Sequence, residues 1–329
     1  MTKKPPTSPR LLAVIGGLRP LARRRRGAWR ALLVALALAA APACATKAKS
    51  GEAASPTDAP AVDPEEHAYF TSDGGAGSLE AFLTEVADVD FVAIGELHYH
   101  PVGSRVELAV LEGMAAQGRP VALAMEFFER DTQAAVDAYL AGEIDRAALI
   151  ERTKRDERYA ATHGPLIDLC KAQGIPVIAA NAPRPLVTAY RKSGIDAYEE
   201  WLATLSDADR ALLPRASEVR DDAFKRRFID FMGPERGPAF LKSMVLWNDA
   251  MAEAAADFRE AHPDRRVLLV VGGFHVAGKI GLITSYLERR PDDRAAVLLM
   301  DQVEEGPLEF TADDAGEADL LLKVRPGSV

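Results

Sequence analysis

Five short apolar runs constrain what this chain can fold into: one inside Asp90–His98, then Val121–Glu126, Ile175–Ala180, Arg266–Val271 and Ala295–Met300. Runs this short, closed by Gly or a polar residue, suit central strands covered on both faces. Between them lie segments of helical length, from about Ser104 to Gln117, Asp131 to Leu140, Arg146 to Arg158 and Leu166 to Gln173. Helix after strand, repeated, predicts an α/β fold: a mostly parallel central sheet flanked by helices, joined by right-handed crossovers. Residues 185–262 read as almost entirely helical, which is longer than a crossover and predicts a helical insertion or cap before the fourth strand. Within it, Phe240, Met244, Trp247 and Met251 form a stripe at helical spacing that reads as core. Leu320–Val324 is a candidate edge strand.

The N-terminus is read separately. Arg23–Arg26 precede an apolar run, Ala31–Ala40, followed by Ala41, Pro42, Ala43 and Cys44. Basic, then apolar, then small residues is the layout of an export signal, and the apolar run is too short to span a bilayer. Cys44 directly after the small residues resembles a bacterial lipobox, which implies cleavage after residue 43 and acylation of the Cys44 thiol. An ordinary signal peptide with a coincidental Cys is the plainer alternative. The expected organisation is a signal peptide over 1–43, an acylated Cys and tether over 44–77, and a single domain over 78–329. The tether's Ala, Pro, Ser and charged residues lack apolar periodicity. Ala45 after Cys44 favours the outer over the inner membrane for the anchor.

Charge narrows the partners. Removing residues 1–43 takes away nine Lys/Arg and no Asp/Glu, leaving 31 basic against 49 acidic residues and a net charge of −18. So acidic a protein is a poor partner for nucleic acid, and its attachment to a membrane would rest on the lipid anchor. Cys170 lies in an apolar stretch and reads as a buried thiol.

The strands end in polar groups: Glu96 and His98 with His100 nearby, Glu126, Asn181 with Arg184, His275, and Asp301 with Gln302. In parallel sheets ligands bind outside the carboxyl ends of the strands, so these groups mark a shared edge. Gly-x-x-His occurs at both Gly95–His98 and Gly272–His275, where Gly is expected to let the chain turn sharply and return the imidazole over the strand ends. Glu96, His98, Glu126 and His275 suit a divalent metal site, and equally a His–Glu acid/base cluster without metal. Gly-x-Ser-x-Gly, His-Glu-x-x-His and a phosphate-binding Gly-rich loop are all missing from the sequence.

These pieces resemble the ChaN-like haem-binding lipoproteins of the Tiki and TraB superfamily, related to erythromycin esterases. The resemblance is carried by Gly95–His98 with Pro101, Ala124–Gln133, Tyr139–Glu143, Ile175–Arg184, Trp247–Ala252 and Gly272–Val276. It implies an α/β fold, an exported lipid-anchored protein, non-covalent haem binding in haem or iron acquisition, and a homodimer. On that resemblance the cofactor-binding candidates are His98, His100, Tyr159, His163, Asn181, Arg184, Trp247 and His275, with Tyr159 or His163 as an axial ligand. His163 stands where the family pattern has an aromatic Tyr, and Asn248 where it has Asp. The second expectation is an ester or peptide hydrolase using Glu96, His98, Glu126 and His275, and the third a non-catalytic envelope scaffold.

Overall fold

The computed structural model describes residues 67–327. The export segment, Cys44 and the tether up to residue 66 lie outside the described residues. The chain opens with β1 (His67–Thr71), α1 (Leu79–Glu85), β2 (Phe91–Glu96), α2 (Pro101–Ala116) and β3 (Val121–Glu129). Four helices follow, α3 (Gln133–Leu140), α4 (Arg146–Thr153), α5 (Glu157–Thr162) and α6 (Gly164–Gln173), before β4 (Val177–Asn181). The long insertion is α7 (Arg184–Lys192), α8 (Tyr198–Leu202), α9 (Asp207–Arg210), α10 (Ala223–Met232) and α11 (Gly237–Ala261). The chain closes with β5 (Arg266–Gly272), α12 (Leu282–Arg289), β6 (Ala295–Gln302) and β7 (Leu320–Val324).

The strands form one seven-stranded sheet in the order β1-β7-β6-β2-β5-β3-β4. Every neighbouring pair is parallel except β1–β7. The α/β expectation therefore holds, with the helical insertion immediately before β5. The domain, however, begins before residue 78. His67–Thr71 pairs antiparallel with Leu320–Val324, so the domain reaches back at least to His67. Five residues at a sheet edge carry too little pattern to mark a strand, and β1 takes its register from the ladder of β7.

Topology places β5 between β2 and β3, so a strand late in the chain separates two early ones. β2 and β5 are buried along their whole length. The insertion has its own apolar centre, Val187, Tyr190, Tyr198, Trp201, Leu213, Leu246 and Ala250. Of the α11 stripe, Met251 is core in the cluster under the sheet, while Phe240 and Met244, partly buried, pack on Phe224, Phe228 and Phe274, and Trp247 is also partly buried. Among the described residues no helix is long and apolar enough to cross a membrane.

The two edges of the sheet carry different chemistry. At the amino end, Asp90 accepts from Arg119 at 2.6 Å and Arg259 at 3.0 Å, and Arg259 also bonds Asp293. Arg266, wholly buried, donates to the carbonyls of Val86, Ala87 and Met114 and ties α1 and α2 to the start of β5. These pairs are spent on structure. Glu96, His98, Glu126, His163 and His275 gather at the carboxyl end.

Candidate functional site

The paired Gly-x-x-His motifs meet because their glycines let two backbones touch. A Cβ on Gly95 would lie 2.7 Å from Val276 Cγ2 and 3.0 Å from Gly273 Cα. This replaces the turn-forming role expected for Gly95, which still lies within the β2 ladder opposite Val271, with Glu96 opposite Gly272. The left-handed backbone falls instead on Tyr99, at φ 64°. Beyond β5, Phe274 is held against Phe224, Phe228 and Phe231, at ring separations of 5.8, 5.6 and 5.2 Å, and this anchors the turn carrying His275.

Glu96 is the hub. It is wholly buried, and its two oxygens serve two imidazoles: His98 Nδ1 donates to Oε1 at 2.5 Å, and His163 Nε2 to Oε2 at 2.6 Å. Burial opposes its ionisation, but the facing His163 and His98 outweigh that and hold the carboxyl well below its usual range. Thr162 Oγ1 lies 2.8 Å from His163 Nδ1. Glu107 of α2 approaches the same point, its Oε2 3.7 Å from His163 Nε2. Burial, reinforced by the charge of Glu96, pushes the Glu107 carboxyl well above its usual range.

Across Gly272 lies the second half. Gly272 N–H donates to Glu126 Oε2 at 2.7 Å, and His275 Nε2 sits 3.7 Å from Glu126 Oε1. His275 Nδ1 donates to Asn248 Oδ1 at 2.5 Å, leaving Nε2 as the nitrogen toward Glu126. A Cβ on Gly272 would lie 3.2 Å from His98 Nε2 and 3.4 Å from Glu126 Oε2, so the missing side chain leaves clear the space beside both. The two imidazoles diverge in basicity. For His98, burial works against protonation, but the bond to Glu96 and the charge of Glu126 prevail and push it up to about 9. For His275, burial dominates and lowers its pKa. Burial also opposes ionisation of Glu126, but His275, His98 and the Gly272 amide hold its pKa low. Of the three, His98 and Glu126 keep 24% and 18% of their side chains exposed, against 6% for His275, so a ligand would meet His98 and Glu126 first.

The other candidates are placed as follows. His100 is buried and caps α2, accepting from Gly103 N–H and donating to the Arg325 carbonyl at 2.8 Å, which makes it a structural residue. Tyr159 and His163 are neither solvated nor open to a large ligand: both are buried, stacked at 5.5 Å, with Phe127 4.3 Å from the His163 ring. Neither ring faces the open side of the crevice, as that of His98 does. Asn181 donates to the Glu126 carbonyl at 3.2 Å and so holds the end of β3. Arg184 is exposed, 5.4 Å over the Trp247 ring. The fifth strand end turns away, with Asp301 3.5 Å from Lys323 Nζ and Gln302 bonded to Glu304. Cys170 is buried, and burial pushes its thiol up to about 12.

Glu107 escaped the sequence reading. It sits among Val106, Leu108, Val110 and Leu111, and its signal was a carboxylate in step with Gly103, Val110 and Met114 on the buried face of α2. Among the described residues, the group with ligand atoms within 4.8 Å of one another is Glu96, Glu107 and His163, not the expected set of Glu96, His98, Glu126 and His275.

Fold and site together define an α/β protein with a histidine–carboxylate crevice at the carboxyl ends of its parallel strands. The chain belongs to the family described as haem-binding uptake, Tiki superfamily, ChaN, whose model matches residues 82–286. Among solved structures it is similar to ChaN of Campylobacter jejuni with cofacially bound haem, at 16% identity and a TM-score of 0.58, covering 80% of this chain and 98% of that one. An open-conformation mutant of the erythromycin esterase EreC matches at 12% identity and a TM-score of 0.43, covering 72% of this chain and 77% of that one. No curated protein matches the sequence.

Proposed function

We propose that this chain binds haem non-covalently at the carboxyl edge of its sheet, as an exported, lipid-anchored protein of haem or iron acquisition. The observation that carries the reading is His98. Its Nδ1 is tied to the buried Glu96, its ring is partly exposed, and its Nε2 lies beside the gap left by Gly272. A carboxylate on one imidazole nitrogen orients the ring and strengthens the other nitrogen as a ligand. The surroundings fit the group. Phe127 and Tyr99 lie 5.1 and 6.3 Å from the His98 ring and supply aromatic faces. Arg184 is an exposed cation suited to a propionate. His98 Nε2 would hold the group there, and the group would supply the bound iron. Titrating hemin into the purified mature chain is expected to give a saturable shift of the Soret band at about one haem per chain. A shift that never saturates would overturn the reading.

Export and anchoring rest on Arg23–Arg26, the apolar run and Cys44. In cells fed a labelled fatty acid, the chain is expected to carry label and fractionate with membranes, and Cys44→Ser to lose both. Label that persists on Cys44→Ser removes the lipid anchor from the proposal.

A second reading is favoured by the His275 geometry. With Nδ1–H fixed on Asn248, Nε2 is a free base opposite Glu126, and the His98 imidazolium on the other side of Gly272 is an acid. An acid and a base flanking one carboxylate can activate water and protonate a leaving group. Ester and peptide substrates are expected to be turned over by the native chain and not by His275→Ala. If the native chain turns over none of them, hydrolysis is excluded.

A further inference from the structure

We infer that Glu96, Glu107 and His163 form a buried site for one divalent transition-metal ion, separate from the His98–Glu126–His275 crevice and independent of haem binding. Their ligand atoms lie within 4.8 Å of one another, from β2, α2 and the α5–α6 junction, and all three side chains are buried. Two carboxylates enclosed together require a compensating positive charge or a shared proton. The decisive feature is Glu107 Oε2, a buried oxygen with no hydrogen-bond partner, aimed at His163 Nε2 from 3.7 Å. Buried carboxylate oxygens seldom stand without a partner, and a cation displacing the proton of Glu107 would supply one.

The supporting contacts are those of a metal site. Thr162 Oγ1, which donates to the Arg158 carbonyl, can accept the Nδ1 proton of His163, leaving Nε2 as the ligating nitrogen. Glu96 divides its oxygens, Oε1 to His98 and Oε2 toward the cluster. Metal–ligand bonds of about 2.0–2.2 Å separate ligand atoms by roughly 3–3.6 Å. The 2.6 Å separation of Glu96 Oε2 and His163 Nε2 would therefore open modestly as the proton between them leaves. One imidazole with two carboxylates suits zinc, manganese or iron better than calcium or magnesium.

The mature chain, stripped with chelator and dialysed against Zn²⁺, Mn²⁺, Fe²⁺ or Co²⁺, is expected to retain about one ion per chain by mass spectrometry. The Co²⁺ form is expected to show visible d–d bands of mixed imidazole and carboxylate ligation. Glu107→Gln should weaken retention at least tenfold and abolish those bands, while Glu126→Gln keeps both. Hemin titration of folded Glu107→Gln should match the native chain, which separates this site from the haem reading. The inference is overturned if the native chain retains no ion. It is equally overturned if folded Glu107→Gln retains the ion unchanged, or if retention is lost with Glu126→Gln instead. The native-chain readouts decide the matter even where a variant does not fold.

Discussion

Glu96→Ala is expected to cost about 3–5 kcal/mol of folding stability, the range for removing one partner from a buried charged pair. Glu96 has no exposed surface and is the acceptor for His98 Nδ1 and His163 Nε2. Deleting it strands two imidazole donors in a closed space and leaves a cavity between β2 and α2. His163 is wholly buried and packed against Phe127 and Tyr159, so it cannot turn to water for a substitute. Glu96→Gln should cost less, because the amide oxygen still serves one imidazole, although the amide nitrogen then faces a donor. Urea unfolding followed by circular dichroism provides the measurement. A loss below about 1 kcal/mol for Glu96→Ala would mean that the network contributes little and relaxes freely.

For ligand binding the largest expected effect is at His98. His98→Ala should weaken hemin binding at least tenfold, about 1.4 kcal/mol, and change the Soret position of what remains bound. Among the crevice imidazoles His98 is the one that keeps substantial exposure, while His275 is buried and committed through Nδ1 to Asn248. His262→Ala, on an exposed histidine after α11, should leave the titration unchanged and controls for adventitious surface binding. Free imidazole added to His98→Ala should restore part of the native spectrum by filling the space that the ring vacates. Equal affinity in His98→Ala and the native chain would move the ligand to another residue.

Much of the framework was legible before any coordinates. Strands β2 to β6 follow from apolar runs whose period and length permit little else, whereas Leu320–Val324, expected at an edge, is β7 and lies inside the sheet between β1 and β6. The convergence of Glu96, His98, Glu126 and His275 followed from parallel strands ending in polar groups. β1 was missed because an edge strand of five half-buried residues owes its existence to its partner. Asp301 was misplaced because β7 packs beside β6 and sets Lys323 directly opposite it, a pairing that only the strand order reveals.

The sequence by itself determined which chemistry would stand at the carboxyl edge, because strand ends and residue types are local properties. Only the tertiary structure decided how that chemistry is divided. Placing β5 between β2 and β3 sets Gly272 between Glu96 and Glu126, and so splits the cluster into two halves. Folding α2 and the α5–α6 junction over β2 then buries Glu107 and His163 against Glu96 and withdraws them from any large ligand. Burial and opposition of charge depend on contacts across the chain, and those same contacts make His98 a strong base and His275 a weak one.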